Sequence, residues 1–275
     1  MNNPHGTTLV LGGTGKTGRR VVDRLSARGL PVRVASRSGA QRFDWDDQNT
    51  WAPLLQGVES MYIAYPPDLA APTSGPHLRA MAAQAVESGV RKIVLLSGRG
   101  EPQCYPAERA VRESGAAFTV LRCAWFAQNF SEGQMLPAVL AGEVAFPAGN
   151  ITEPFVDIDD TADVAVAALT SRAHDGKIYE LSGPRLITFD EVVTEIGKAI
   201  GREIRYVPVS SDEYAQVLAQ FVPAEQVTFL KELFEFILDG HNAYLSDGVQ
   251  QALGRKPNDF RDFVRDAAAA GAWVS

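Results

Sequence analysis

Residues 9–20 read LVLGGTGKTGRR, and this glycine-rich stretch decides the fold. The apolar run Thr7–Leu11 predicts a buried strand, and Gly18–Ala27 predicts a helix with one apolar face. Gly29 then stands where a glycine commonly ends a helix. A strand, a glycine-rich turn and a helix in this order predict the first βαβ unit of a parallel α/β sheet.

The glycines of this turn have the GxxGxxG spacing of a dinucleotide-binding turn. Glycine lets the backbone approach a pyrophosphate closely, and the start of the helix offers N–H groups and a positive dipole end. A mononucleotide phosphate loop is excluded because GxxxxGK[ST] does not occur. The predicted pyrophosphate-binding residues are Gly12, Thr14, Gly15, Lys16, Thr17 and Gly18.

The end of the predicted second strand, Pro31–Ser36, indicates which coenzyme is bound. An acidic residue there would bind the ribose 2′-hydroxyl of NAD, whereas a basic residue accommodates the 2′-phosphate of NADP. Arg37 follows the strand, and the first acidic residue after it is Asp44. NADP(H) is therefore favoured, and NAD(H) is the alternative if Arg37 only stacks on adenine.

Asp44 and Trp45 are expected to follow a short third strand and to meet the adenine ring. The Asp44 carboxylate would accept a hydrogen bond from the adenine amino group, and the Trp45 indole would pack beside the adenine ring. The alternative is that both are ordinary residues at the tip of a loop.

Strand and helix patterns alternate along the first part of the chain, which predicts a parallel sheet with helices on both faces. We predict further strands at Ser60–Ala64, Lys92–Ser97, Phe118–Arg122 and Lys177–Ser182, and helices at Pro76–Glu87, Pro106–Ser114, Asp159–Ser171, 188–200, Pro223–Leu238 and Asp259–Ala270. The expected organisation is a dinucleotide-binding core over about residues 1–150. Residues 151–275 would complete the core and form a small α+β C-terminal lobe.

The composition limits the possible functions. The chain has 275 residues and a net charge of −7, with no basic cluster, which argues against nucleic acid as a partner. The N-terminus lacks a secretory pattern and no apolar run is long enough to span a membrane, so a cytoplasmic protein is expected.

No metal site is predicted. Cys104 and Cys123 do not have the spacing of a zinc site or a disulfide framework. Four aspartates lie at a strand-to-helix junction, namely Asp157, Asp159, Asp160 and Asp163. Helix capping and the helix dipole explain acidic residues at such a junction without a metal ion.

The chain as a whole resembles the NmrA-like branch of the atypical short-chain dehydrogenase/reductases. The resemblance rests on GGTGKTG, SRS, DW, IAYPP, LLSGRG, AERAVRESGAAFTVLRCAWFAQNF, FVDIDDTADVAVAAL, KIYELSGPRLITFDEV and GRKPNDFRDFVRD. It implies a Rossmann-type doubly wound sheet with a C-terminal substrate lobe. Members of this family include NAD(P)H-dependent quinone reductases, isoflavone-reductase-like enzymes, antibiotic-pathway tailoring enzymes and redox-sensing regulators.

The resemblance also assigns roles to further residues at the carboxyl ends of the strands. It implies that Ala64, Tyr65 and Pro66 pack beside the nicotinamide ribose. Ser97 and Gly98 would end the strand at the nicotinamide ring, and residues 123–126 would close its other side.

The chain departs from the superfamily in its catalytic pair. Dehydrogenases of this type use YxxxK, with the tyrosine as general acid, and no such pair follows the strand that ends at Ser97. Tyr105 and Arg109 form YxxxR, in which arginine stands in place of the lysine. If Glu108 is aligned with the glutamate that is usual in this helix, the position of the catalytic tyrosine lies upstream of Tyr105. The catalytic acid is therefore unknown, with Ser97, Tyr105 and His241 as weak candidates.

A planar acceptor could still be reduced if it is held against the nicotinamide. Trp125, Phe126 and Phe130 are the candidate residues for binding it, and packing in a core is the alternative for them. We expect an NAD(P)H-dependent oxidoreductase acting on a hydrophobic, planar carbonyl or quinone-type compound. The alternatives are a non-catalytic NAD(P)-sensing protein with a protein partner, and a tailoring enzyme that catalyses oxygenation or ring opening.

Overall fold

A six-stranded parallel sheet, in the order β2-β1-β3-β4-β5-β8, is the centre of the computed structural model, which describes residues 6–37, 39 and 41–274. Its strands are β1 (Thr7–Leu11), β2 (Val32–Ala35), β3 (Val58–Ile63), β4 (Lys92–Gly98), β5 (Ala117–Cys123) and β8 (Lys177–Leu181). Two smaller sheets contain β6 (Glu143–Phe146), β7 (Thr152–Glu153), β9 (Ile187–Thr188) and β10 (Arg205–Pro208).

The helices between these strands follow the predicted alternation. In chain order they are α1 (Lys16–Ala27), α2 (Ala52–Leu55), α3 (Ser74–Glu87), α4 (Tyr105–Arg112), α5 (Leu136–Ala141), α6 (Ile158–Thr170), α7 (Phe189–Ile200), α8 (Ser211–Leu218), α9 (Ala224–Ile237), α10 (Gly248–Leu253) and α11 (Phe260–Ala269). None of them, within the described residues, is long and apolar enough to cross a membrane.

The chain divides into two compact units whose segments interleave along the sequence. Unit 1 contains the described residues of Met1–Cys123 with Ile158–Leu181 and Gly248–Arg255, and unit 2 contains the rest of the described chain. Residues 124–157 belong to unit 2, and the chain returns to unit 1 with α6 and β8.

Unit 1 is a sheet flanked by helices. Leu9, Val10 and Leu11 of β1 are almost completely buried, as expected for a central parallel strand. Helix α1 packs on α6 and α3 packs on α4, so paired helices cover the sheet. This confirms the predicted parallel α/β architecture.

A group of ion pairs links α1, α6 and the segment after α10 within unit 1. Arg24 on α1 contacts Asp159 and Asp163, each at 2.6 Å. Arg255 contacts Asp160 at 2.6 Å and Asp163 at 2.7 Å. Asp159 and Asp160 also lie in the first turn of α6, where the helix dipole favours acids. Three of the four acids noted at this junction in the sequence therefore hold helices together.

A second buried ion pair joins α4 to β5. Arg122 donates to both carboxylate oxygens of Glu108, at 2.9 Å and 2.6 Å, and Ser97 donates to the same carboxylate at 2.7 Å. The Glu108 side chain is only 2% exposed, so this carboxylate depends on its three donors for charge compensation.

Unit 2 is built on an aromatic core. Phe146 and Phe189 lie with ring centroids 5.1 Å apart, and Phe234 lies 5.3 Å from Phe146. Strands β6 and β10 pair in parallel and β7 and β9 pair antiparallel. The capping box expected at Thr188 and Glu191 is present at the start of α7.

The short third strand predicted before Asp44 is not a strand in the described residues, which show there an isolated parallel bridge between Ser36 and Arg42. The structure also contains short elements outside the predicted ones, namely helices α2, α5, α8 and α10 and strands β6, β7 and β9. Of these, α8 begins with a second capping box, formed by Ser210 and Glu213.

The buried Glu108–Arg122 pair gives a prediction for stability. Glu108→Gln should lower the free energy of unfolding by about 3 kcal/mol, because Arg122 then lacks its counter-charge. Urea unfolding would measure the loss, with Glu113→Gln on the exposed end of the same helix as the control. A change below about 0.5 kcal/mol in Glu108→Gln would show that the pair does not stabilise the fold.

Candidate active site

The carboxyl ends of β1, β3 and β4 form one rim of the unit 1 sheet, since these three strands are adjacent and parallel. In open α/β sheets ligands bind at this rim. The residue after β3, Ala64, donates its N–H to Leu11 at 3.3 Å. The start of the glycine-rich turn therefore lies directly beside the residues that follow β3.

The glycine-rich turn has the backbone geometry that a dinucleotide requires. Gly12 has φ +74°, in the left-handed region that favours glycine. A Cβ at Gly18 would lie 2.2 Å from the carbonyl oxygen of Gly12, so no side chain fits there. Gly15 caps α1 without a side-chain hydrogen bond, which leaves the first turn of the helix open to an anion. These features fit a bound pyrophosphate.

The charges at the start of α1 also favour an anion. The first turn contains no acidic residue, although the dipole favours negative charge at this end. Lys16 is the first helical residue, and burial, then the charges of Arg19 and Arg20, lower its pKa. A bound phosphate would offset both the dipole and these positive charges. Thr14 is exposed and Thr17 is buried beside this turn.

The end of β2 places two arginines near the adenosine side of this rim. Arg37 is exposed directly after the strand, and Ser38 lies outside the described residues. The bridge between Ser36 and Arg42 brings Arg42 back beside the strand end. The Arg42 guanidinium lies 3.9 Å from the Asp44 carboxylate. Sequence reasoning missed Arg42, because its pairing with Ser36 leaves no local sequence pattern.

Trp45 belongs to an aromatic group with Tyr65 and His77. The centroid of its ring lies 4.8 Å from Tyr65 and 6.0 Å from His77, which it stacks on. The Tyr65 hydroxyl lies 2.7 Å from Nδ1 of His77 and 3.0 Å from Thr73 Oγ1. Burial raises the pKa of Tyr65. This group fixes the Asp44–Trp45 turn beside the residues that follow β3, where Ala64 is partly buried and Pro66 is exposed.

The structure gives Ser97 and Tyr105 different environments. Ser97 is 5% exposed and its hydroxyl donates to Glu108, so it supports the end of β4. Tyr105 begins α4, is 39% exposed, and its ring lies over the Arg122 guanidinium at 4.7 Å. Tyr105 thus packs on Arg122 of β5, and this environment does not favour Tyr105 as a proton donor.

Two carboxyl groups that sequence reasoning missed lie beyond the ends of β3 and β4. The carboxyl oxygens of Asp68 and Glu101 and the Cys104 sulfur lie within 4.8 Å of one another. Burial and the Asp68 charge raise the pKa of Glu101 to about 8, and burial raises the pKa of the Cys104 thiol. A metal ion bound by these three groups would have to displace the protons that their raised pKa values favour.

The predicted acceptor-binding residues lie in unit 2. Trp125 and Phe126 are partly exposed, and the Trp125 ring contacts Phe146, Phe189 and Phe234. Phe130 is fully buried against Phe155, Phe189 and Phe260, which favours a packing role for it. The contribution of these three residues to substrate binding stays a prediction.

His241, the third weak catalytic candidate, is also in unit 2. Its backbone N–H donates to the Asp239 carboxylate at 2.8 Å, and its ring nitrogen contacts the same carboxylate. The ring packs 5.1 Å from Phe236. These contacts explain His241 as part of a local turn after α9, and its hydrogen bonds lower the pKa of Asp239.

Comparison with known proteins gives extended similarities. The chain is 30% identical to Prestalk A differentiation protein A of Dictyostelium discoideum, over 94% of this chain and 91% of that protein. Agroclavine dehydrogenase of Claviceps fusiformis is 31% identical, over 94% of this chain and 96% of that enzyme. No model of a protein family matches the sequence.

Solved structures with the same fold include two reductases crystallised with their coenzyme. The Escherichia coli NADPH-dependent quinone oxidoreductase complexed with NADPH has a TM-score of 0.78 and 21% identity, over 94% of this chain and 99% of that one. Citrobacter sp. triphenylmethane reductase complexed with NADP(H) has a TM-score of 0.75 and 20% identity, over 95% and 99% of the two chains. These neighbours confirm the Rossmann-type α/β fold.

The position of Tyr105 predicts a small effect of its hydroxyl. Tyr105→Phe keeps the ring over Arg122, so the rate of NAD(P)H oxidation should stay within about ten-fold of the unmodified chain. A positioned proton donor typically contributes 10²-fold or more. Steady-state kinetics with one acceptor would distinguish the two cases, and a loss of about 10²-fold would make Tyr105 the acid.

Proposed function

The chain belongs to the NmrA-like family of atypical short-chain dehydrogenase/reductases, which are NAD(P)H-dependent oxidoreductases, and we propose that it uses NADPH to reduce a hydrophobic, planar carbonyl or quinone-type compound. The observation that carries this proposal is the start of α1. There, a turn without side chains at Gly12, Gly15 and Gly18 meets a helix whose first turn has Lys16 and no acid.

Two features favour NADPH over NADH. The end of β2 carries Arg37 with Arg42 beside it, and no carboxylate follows the strand directly to accept the ribose 2′-hydroxyl. Arginine binds phosphate through charge-assisted, bidentate hydrogen bonds. The two structural neighbours crystallised with NADP(H) or NADPH support the same choice of coenzyme.

The residues at the rim would hold this coenzyme in a defined order. The first-turn N–H groups of α1, with Thr14, Lys16 and Thr17, would bind the pyrophosphate. Asp44 and the Trp45 group would meet adenine, and Ala64, Tyr65 and Pro66 would line the ribose beyond β3. Gly98 has no side chain at the end of β4, where the nicotinamide is expected. When bound, reduced nicotinamide supplies a hydride.

The residues of the chain would then orient the reactants and supply one proton to the acceptor. Ser97, Glu108 and Arg122 form a rigid, hydrogen-bonded support beneath the end of β4. Holding a planar acceptor in place converts hydride transfer into an intramolecular step, which accounts for much of the catalysis in such sites. Trp125, Phe126 and Phe130 remain the proposed acceptor-binding residues.

The acceptor class follows from chemistry and from the relatives. A conjugated, electron-poor ring accepts hydride readily, and its flat shape suits stacking on nicotinamide. The names of the structural neighbours refer to quinones and to triphenylmethane dyes, and both are conjugated, electron-poor systems. A hydrophobic planar acceptor for this chain is consistent with both.

A non-catalytic coenzyme sensor is the second candidate, and the missing YxxxK pair favours it. Oxidation of NADPH followed by absorbance, with a panel of quinones and triphenylmethane dyes, separates the two functions. Turnover of at least one acceptor supports the oxidoreductase. Tight NADPH binding without any turnover would support the sensor, and turnover that requires oxygen would indicate an oxygenating tailoring enzyme.

Arg37 provides the sharpest test of coenzyme choice. Removing a charge-assisted partner of the 2′-phosphate costs about 1.5–3 kcal/mol, so Arg37→Ala should weaken NADPH roughly 10–150-fold and NADH only slightly. Calorimetric titration of both coenzymes into both proteins measures this. Arg28→Ala, an exposed arginine after α1, is the matched control. Equal weakening of both coenzymes would mean that Arg37 only stacks on adenine.

A further inference from the structure

Asp68 and Glu101 form a carboxyl pair at the ends of two adjacent parallel strands. Asp68 follows β3 and Glu101 follows β4, and their carboxyl oxygens lie within 4.8 Å of each other. The Glu101 carboxyl occupies the space beside Gly98, where a Cβ would lie 2.1 Å from Oε1. The absence of a side chain at residue 98 therefore lets this carboxyl lie directly against the end of β4.

The pair shares its rim with the glycine-rich turn. β3 lies between β1 and β4 in the sheet, and a Cβ at Gly12 would lie 2.9 Å from the carbonyl oxygen of Ala64, which follows β3. The segment from Ala64 to Asp68 is thus anchored at the start of the turn. Because ligands of open α/β sheets bind at the carboxyl ends of the strands, the pair is placed at the reacting end of the coenzyme site.

Two carboxylates this close and partly buried do not both ionise readily. Burial raises the pKa of Asp68 as well, whereas the Ala70 N–H, which Asp68 Oδ1 accepts at 2.8 Å, acts in the opposite direction and favours the charged form. Burial, then the Asp68 charge, raise the pKa of Glu101 to about 8.

Among the described residues, the thiols of Cys104 and Cys123 also interact with Glu101, and burial raises the pKa of both; the buried Arg99 is the cation of this segment, and its charge acts on Cys123. The pair therefore favours one shared proton at neutral pH, and we assign it to Glu101, because Asp68 accepts a backbone N–H whereas Glu101 accepts the weaker thiol S–H of Cys104.

We propose that Glu101, with Asp68 as its ionised partner, donates the proton that completes the reduction, in place of the tyrosine of YxxxK. This inference rests on the proposed function. The acceptor gains a hydride with its two electrons from reduced nicotinamide, which is oxidised. The O–H bond of Glu101 breaks and its proton forms a new O–H bond on the acceptor, and the Glu101 carboxylate then takes a proton from water.

Asp68 is a positioning residue in this scheme, because it acts through Glu101. Its negative charge keeps the neighbouring carboxyl protonated at neutral pH, so its removal would lower the pKa of Glu101 without removing the donor. Asp68→Asn should therefore shift the pH profile to lower pH, whereas Glu101→Gln should abolish the donor.

The first measurement does not depend on turnover. Infrared spectroscopy of the coenzyme-free protein between pH 5 and 9 should show a protonated carboxyl band that disappears near pH 8. Glu101→Gln should lack this band, and the control Glu113→Gln should keep it. Absence of the band from the unmodified chain at pH 6 would overturn the proposal, whatever the variants do.

The pH dependence of the free energy of unfolding gives a second test, because its sign is defined. The unfolded Glu101 carboxyl loses its proton near its ordinary pKa of 4.5, whereas the folded one keeps it to about 8. The folded state thus binds more protons between these values, and stability should fall as pH rises through this window. Glu101→Gln should show a smaller fall. An equal fall in both proteins would contradict a proton on Glu101.

Kinetics then tests the role of the proton. With a quinone as acceptor, the rate of reduction should fall as pH rises above about 8, and Glu101→Gln should lower kcat by about 10²-fold or more with NADPH affinity within about two-fold. Glu113→Gln should match the unmodified chain. If the unmodified chain reduces acceptors and Glu101→Gln does so equally well, the proton-donor proposal fails and the proposed function stands.

The remaining outcomes are also decisive. If no acceptor is reduced by the unmodified chain, the proposed function fails and the donor role fails with it, even where the infrared band is present. If EDTA removes the activity of the unmodified chain, the Asp68–Glu101 pair holds a metal ion instead of a proton, and the proposal is overturned.

Discussion

The approach of helix α1 to strand β1 is the constraint on which the site depends. A side chain at residue 18 would lie 2.2 Å from the Gly12 carbonyl, so the helix can start this close to the strand only with glycine there. This contact points the first-turn N–H groups of α1 at the rim of the sheet. The adjacent strands β3 and β4 then bring Ala64, Gly98 and their following loops to the same rim.

Two glutamates near the end of β4 show how environment sets the role of a carboxyl group. Glu108 accepts hydrogen bonds from Ser97 and from two nitrogens of Arg122, which hold its side chain in place. Glu101 is buried beside the Asp68 carboxyl, and both effects raise its pKa, although the Cys104 thiol that donates to it acts in the opposite direction. One carboxyl therefore supports the fold, and the other is able to hold a proton at neutral pH.

The sequence predicted the parts of the structure that depend on local patterns. The βαβ start, the parallel order of strands and the capping box at Thr188 all follow from periodicity and turn chemistry. The Asp68–Glu101 pair could not be predicted, because the two residues are far apart in the chain and meet only through the pairing of β3 with β4. Arg42 was missed for a similar reason, and the third strand predicted before Asp44 is only an isolated bridge in the described residues.

The most direct test of the central claim places a carboxylate where the pyrophosphate is expected. Gly15 has φ −79° and ψ 175°, a conformation that suits aspartate as the cap of α1. A Cβ at Gly15 would lie 3.2 Å from the Gly12 carbonyl oxygen, a tight contact, so Gly15→Asp should fold with at most a small loss of thermal stability while its carboxylate repels the phosphates. Calorimetric titration should then show NADPH affinity lowered by at least about 100-fold, or ~2.7 kcal/mol. If NADPH binds to folded Gly15→Asp as tightly as to the unmodified chain, the coenzyme does not bind at this turn and the account is wrong.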